Sequence, residues 1–248
     1  MQFLSPLESF EVLLYLPLEF FFDLSISNSV LYMGIAFLLL TLFFYLNTAR
    51  SLLVPTNYQL VVEQLYKFLL SMVKEQTHNS ALPFFPLFLL IFLFILFSNL
   101  LGLLPFAFTT TAQFAITFAL ALSFNLGFLF LGFATNGVGF LKLFVPSGAP
   151  LFLLPLIVII EVVSYLIRTF SLSIRLFANM MAGHTLLHIL STFSIKLSKL
   201  KFGFLLGLLP FALVLAVFAL EFGIALIQAY VFVILLSIYS NDSYHPGH

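Results

Sequence analysis

Apolar residues in this chain gather into blocks too long and too uniform for a soluble core. The first runs over residues 30–46, VLYMGIAFLLLTLFFYL, about the minimum that crosses a hydrocarbon layer of roughly 30 Å. Asn47, Arg50 and Pro55 close it. Over residues 57–76 the pattern changes: apolar positions recur at helical spacing while Glu63, Lys67, Lys74 and Glu75 occupy the other positions, which predicts an amphipathic helix lying along a membrane surface. A coiled-coil partner face is the alternative, although the pattern covers only about two heptads. Residues 83–104 and 112–133 are the second and third spans, joined by a turn with Pro105 and the run Thr109, Thr110, Thr111. Asn99 and Asn125 are polar groups inside these spans, read as interhelical hydrogen-bonding residues first and channel-lining residues second. Gly137, Gly139, Pro146, Gly148 and Pro150 then mark a loop around Lys142.

The last two blocks, 151–193 and 204–240, are too long for simple spans. At 1.5 Å per residue they reach roughly 60 Å and 50 Å, far beyond the hydrocarbon thickness. Both must tilt strongly or curve, and a rounded partner in the bilayer explains both at once. The linker between them carries Lys196, Lys199 and Lys201. Residues 1–28 mix apolar and acidic positions and are expected at the interface or as a short helix against the membrane. The fold class expected is thus an all-α membrane protein, one polytopic domain over residues 1–248, with about five transmembrane helices and one interfacial amphipathic helix.

Composition sharpens this picture. The chain is 62% hydrophobic and 7% charged, against about a quarter charged in an ordinary soluble domain. Nine acids balance nine bases, so no global basic field attracts nucleic acid. The absence of cysteine removes thiolate chemistry and Cys-based metal sites. Glu8, Glu11, Glu19 and Asp23 with no basic residue at the N-terminus fit neither a secretory signal nor an Arg-rich transit peptide, so synthesis inside an organelle or a bacterium is expected. Basic residues in the loops divide almost evenly; the acidic N-terminus tips the reading toward N-out.

The chemistry concentrates in residues 161–188, EVVSYLIRTFSLSIRLFANMMAGHTLLH. An ionised guanidinium at mid-membrane depth costs between about 2.5 kcal/mol on insertion scales and more than about 10 kcal/mol in simulation, so Arg175 needs a partner or a task. On a helical wheel Ser164, Arg168, Ser171, Ala178 and Ala182 fall within roughly 60° of Arg175, a stripe of small residues broken only by arginines. Close packing between two fixed helices is the plain use of such a stripe, but static packing does not require a guanidinium. His184, nine residues beyond Arg175, faces a different surface, and His188 follows it at i+4. Imidazole titrating near neutral pH suits a proton relay; two histidines at this spacing also suit a metal. The relay is preferred for His184, and His188 reads as interfacial.

On the last block Glu221, Gln228, Tyr239 and Asp242 share one direction within roughly 40°. If the two long helices pair as an antiparallel hairpin, His184 falls near Glu221, Arg175 near Gln228, and Glu161 near Tyr239 and Asp242. Two polar clusters at opposite depths result, with a fixed positive charge between them. A proton then has to ride on a mobile carboxylic acid, neutral in lipid and forced to ionise beside Arg175. No acid in this chain is both near mid-span and free to move, so the carrier belongs to a partner.

The block SLSIRLFANMMAGHTLL, followed by LEFGIALIQAYVFVILLSIYSND and preceded by SNLLGLLPFAFTTTAQ, resembles subunit a of the F-type ATP synthases in its mitochondrial form, over most of residues 83–242. The resemblance implies that Arg175 faces the carboxylates of a rotating proteolipid ring, with Asn179 and Gln228 as its polar neighbours. It implies that His184 and Glu221 form the inlet half-channel, that Glu161, Tyr239 and Asp242 line the outlet, and that Arg168 gives electrostatic support or contacts lipid headgroups. The two long helices become a hairpin curving around a rotor ring. Partners implied are the ring subunits, the peripheral stalk and other membrane-sector subunits, and the lipid bilayer; no cofactor and no metal are expected. The location implied is the mitochondrial inner membrane rather than a bacterial or plastid one. The Phe-rich first third and the lysine-rich linker depart from the family's pattern. With no phosphate-binding Gly-rich loop, ATP chemistry falls to other chains. Two rivals are a secondary transporter, which predicts inverted halves with broken helices that this sequence does not show, and a structural membrane subunit of a respiratory complex.

Overall fold

Inside a bilayer every backbone polar group has to be satisfied within its own segment, so uniformly apolar runs of this length become helices. A computed structural model describes residues 10–16, 25–48, 55–77, 80–104, 107–145, 152–198 and 203–245. They form six α-helices: α1 (Asn28–Thr48), α2 (Asn57–Thr77), α3 (Phe85–Gly102), α4 (Phe114–Asn136), α5 (Leu154–Ser198) and α6 (Gly203–Tyr244). Five helical stretches are long and apolar enough to cross a membrane, and α5 alone has 45 residues where about 20 suffice. The chain is an all-α multi-pass membrane protein. Glu8, Glu19, Asp23, Arg50, Pro105, Pro146, Gly148, Pro150, Lys199 and Lys201 lie outside the described residues.

Two places show structure that the sequence reading did not include. After a 3-10 residue at Phe10, strand β1 (Leu14–Leu16) of the N-terminal segment pairs antiparallel with β2 (Ile26–Ser27) immediately before α1. Asn28 is the reason. Its side-chain oxygen accepts from the Ser29 N–H (2.9 Å) and the Leu13 N–H (3.3 Å), its amide donates to the Glu11 carbonyl (2.9 Å), and its own N–H donates to the Leu13 carbonyl (3.1 Å). One residue thus ties the start of α1 to the extended segment before it. The loop expected around Lys142 begins as a 3-10 helix, Gly137–Phe144, entered through Gly137 at φ 54, a conformation that glycine adopts without strain. It buries the Phe140 ring against Gly132, where any β-carbon would overlap the ring.

The chain divides into two compact units. Unit 1 takes residues 1–40, 94–114 and 175–228; unit 2 takes 41–93, 115–174 and 229–248. Within unit 1, Ile95, Leu103, Phe108, Leu176, Met180 and Ala225 are buried. Here α5 and α6 run antiparallel, with Ser194 reaching Gly207, Gly183 against Glu221, and Gln228 bonded to Arg175. Unit 2 is built on aromatic packing: Phe84 and Phe88 both meet Phe128, Phe140 lies between Phe133 and Phe144, and Tyr165 follows. Helix α2 belongs here, exposing Tyr58, Val61 and Phe68 while burying Leu69, Met72 and Val73.

Candidate functional site

In unit 1, α5 turns Arg175 outward. Its side chain is exposed, as are Ala178 and Ala182 on the same face, while Leu176 and Met180 on the opposite face are buried. No carboxylate among the described residues lies within ion-pair distance of its guanidinium. Gln228, 5% exposed on α6, donates its amide to the Arg175 main-chain carbonyl at 3.3 Å. The glutamine therefore holds the backbone from which the arginine projects and leaves the guanidinium itself untouched. Asn179, one turn on, is half-buried.

Nine residues beyond Arg175, the half-buried His184 turns its Nε2 onto the carbonyl of Gly102, the last residue of α3. Terminal helix carbonyls lack intrahelical partners, so this one is a natural acceptor, and the imidazole must carry its proton on Nε2 to donate to it. Glu221 is buried on α6, and its carboxyl group lies over the α-carbon of Gly183. The structure thus sets Glu221 against the residue next to His184, without a hydrogen bond between the two side chains among the described residues. Asn99 donates to the Ala225 carbonyl, one turn along α6 from Glu221, at 3.3 Å. Among the described residues, Oγ of Ser98, Oδ1 of Asn99, Oγ1 of Thr109 and Thr111, and Oε1 of Glu221 are all buried without a hydrogen-bond partner. Each buried polar atom left unmatched costs about 1–3 kcal/mol, so five in unit 1 make this the place in the unit where a polar guest would be favoured.

Gly183 is the residue that helical-wheel reasoning overlooked. A β-carbon there would sit 2.7 Å from Glu221 Oε1 and 2.8 Å from its Cδ. The obstructed atoms are the free end of a flexible side chain, so Gly183→Ala is expected to assemble normally while pushing the carboxyl aside. If Glu221 serves the inlet that the resemblance implies, proton movement through the variant should fall on the order of tenfold at unchanged abundance. Unchanged proton movement would mean that the position of the Glu221 carboxyl is immaterial.

Unit 2 gathers a second group. Arg168 Nη1 lies 3.7 Å from Asp242 Oδ2, and its guanidinium carbon stands 5.5 Å from the centre of the Tyr239 ring. Tyr165, one turn before Arg168, meets Tyr239 at 6.5 Å between ring centres. The helical-wheel pairing expected Glu161 near Tyr239 and Asp242; the half-buried Glu161 lies near enough to act on Asp242 electrostatically, and Arg168 supplies the ion pair to Asp242. Asn125 donates to Thr169 Oγ1, and Thr117 and Ser173 share a hydrogen bond at 3.2 Å, all between α4 and α5. Asn99 and Asn125 therefore both make interhelical bonds, and each keeps a buried carbonyl oxygen unmatched among the described residues. His188 is exposed on α5, and among the described residues no cluster of His, Asp and Glu could hold a metal.

The family profile of the ATP synthase A chain matches residues 30–241. The chain belongs to this family. Over 246 residues, 98% of its length and 99% of the relative, it is 46% identical to the ATP synthase subunit a of Acanthamoeba castellanii. Over the same span it is 41% identical to the subunits a of Brucella canis and Brucella suis. Membership of the ATP synthase A chain family makes it the proton-translocating membrane stator subunit of an F-type ATP synthase, working with other subunits of the membrane sector. The transporter and the purely structural readings of the sequence fall away.

Proposed function

We propose that this chain carries protons by two separate half-paths, with Arg175 between them, and that a carboxylate on a rotating proteolipid ring ferries the proton from one to the other. The observation that carries this reading is the exposed Arg175 guanidinium on an apolar membrane helix, with no carboxylate of the described residues in reach. Such a charge asks for an anion from outside the chain. The exposed small residues Ala178 and Ala182 let a partner helix approach it closely, and Ser164 and Ser171 are exposed on α5 as well.

Loading proceeds through His184 and Glu221, with Asn99, Thr109 and Thr111 supplying the polar wall. A proton hops along water held by these groups and reaches the ring carboxylate, which turns neutral and enters lipid. When the ring returns the acid to Arg175, the guanidinium favours the carboxylate form and the proton leaves. Release runs past Tyr239, Asp242 and Glu161, where Arg168 holds Asp242 by charge and Tyr239 by its ring face. Asn179 and Gln228 keep the Arg175 backbone and its surroundings polar. Ring rotation then drives ATP chemistry in other chains, and the peripheral stalk holds this chain still. We place the protein in the mitochondrial inner membrane; its higher identity to the amoebal relative than to the bacterial ones supports this.

The ring contact is testable without background, because the chain has no cysteine. Cysteine at the exposed Ala178 or Ala182, combined with a cysteine beside the ring carboxylate, should give a disulfide-linked pair on mild oxidation of the assembled complex. Cysteine at the buried Leu176 should give none. Crosslinks from Leu176 in place of Ala178 would put the ring on the wrong face of α5.

A further inference from the structure

The segment just before β1 brings one side chain to His184 in unit 1. The Phe10 ring and the His184 imidazole stand perpendicular, edge to face, 6.1 Å between centres at 90°. Phe10 is half-buried, whereas Glu11, Val12, Leu13, Leu14 and Tyr15 after it are all exposed. Of residues 10–15, Phe10 is thus the one turned inward. The path of this segment is fixed by Asn28, which bonds Glu11 and Leu13 with its side chain and is itself 6% exposed at the start of α1. His184 thus meets two groups, the Gly102 carbonyl at the end of α3 and the Phe10 ring.

We propose that Phe10, pinned by Asn28, is a positioning residue for His184: it sets the imidazole's orientation so that Nε2 stays on the Gly102 carbonyl and the ring's other nitrogen faces the proton path. Edge-to-face aromatic contacts hold a ring orientation because the positive edge of one ring meets the negative face of the other. An imidazole freed from that contact rotates about its side-chain bonds, and a relay that depends on geometry slows. The inference rests on the reading of His184 as an inlet relay. Among the described residues of unit 1, the titratable or charged groups to be reckoned with around His184 are Glu221 on α6, Glu11 before β1, Tyr32 on α1, and Arg175 and His188 on α5 itself; α3 presents none.

The test is ATP synthesis by the assembled complex in vesicles under an imposed pH gradient, with the pH on the inlet side varied. Phe10→Ala should lower the maximal rate roughly two- to tenfold and move the inlet-side pH profile. Phe10→Tyr should restore both, and Asn28→Ala should reproduce the Phe10→Ala profile. Leu14→Ala, in the exposed part of the strand, should behave as wild type. In a His184→Gln background, Phe10→Ala should have no further effect. If Phe10→Ala and His184→Gln lower the rate independently, or if Phe10→Ala leaves rate and profile unchanged while His184→Gln lowers the rate, the positioning role is overturned and the relay stands. If His184→Gln leaves the rate unchanged, the relay reading itself fails and takes the positioning role with it. Should Phe10→Ala complexes fail to assemble, Phe10→Leu keeps the bulk without the ring edge and gives the same contrast.

Discussion

Replacing Glu221 with leucine in the assembled complex is expected to lower proton-driven ATP synthesis at least about 100-fold, the usual contribution of a positioned acid–base group. Leucine keeps the volume and the burial of this position, so assembly should survive while the carboxyl is lost. Exchanging the two residue types, His184→Glu together with Glu221→His, should retain far more activity than His184→Leu with Glu221→Leu. The reason is that Gly183 brings the two backbones close enough for either side chain to occupy the same polar space. The comparison is made by ATP synthesis under an imposed pH gradient, normalised to complex abundance. Equal loss in the exchanged and the apolar variants would remove the relay.

The second large effect belongs to Arg175. An opposite charge within about 4–6 Å lowers an acid's pKa by about 1–3 units, so without the guanidinium a ring carboxylate gives up its proton roughly 10- to 1,000-fold less readily. Arg175→Ala should therefore abolish net ATP synthesis. Arg175→Lys keeps the charge but replaces a planar fork with a hydrated point charge on a flexible stem, and should restore only a small part of the rate. Synthesis at the normal rate in Arg175→Lys would mean that charge alone, without guanidinium geometry, releases the proton.

How much of this was legible in the sequence depends on the kind of pattern. The membrane helices were readable because nothing in 30–46 or 83–104 offers an alternative to burying apolar surface, and the family was readable because RLFAN with a distant glutamine is a local signature. The helical wheel placed Arg175 and the small residues on one face, and that face is exposed. Contacts set by side-chain length were less readable. Residue-by-residue pairing of α5 with α6 put Glu161 near Asp242, where it lies, but did not show that Arg168, whose guanidinium on a three-carbon stem extends about a turn along its helix, reaches Asp242 as well. Gln228 was read as a polar neighbour of Arg175; that its bond goes to the main-chain carbonyl was not readable. Gly183 was silent because a glycine carries no chemistry of its own; only the carboxyl resting on it shows why the position is bare. The strand before α1 was hidden because its one determinant, Asn28, acts through backbone groups fifteen and seventeen positions away.

Passive proton flux across vesicles carrying complexes with Arg175→Ala, measured without ATP, tests the separation of the two half-paths most directly. If a fixed positive charge is the barrier, the variant conducts protons passively where the wild-type complex does not, and ATP-driven pumping is lost. A normally assembled variant that stays proton-tight and still pumps would contradict the two-path arrangement.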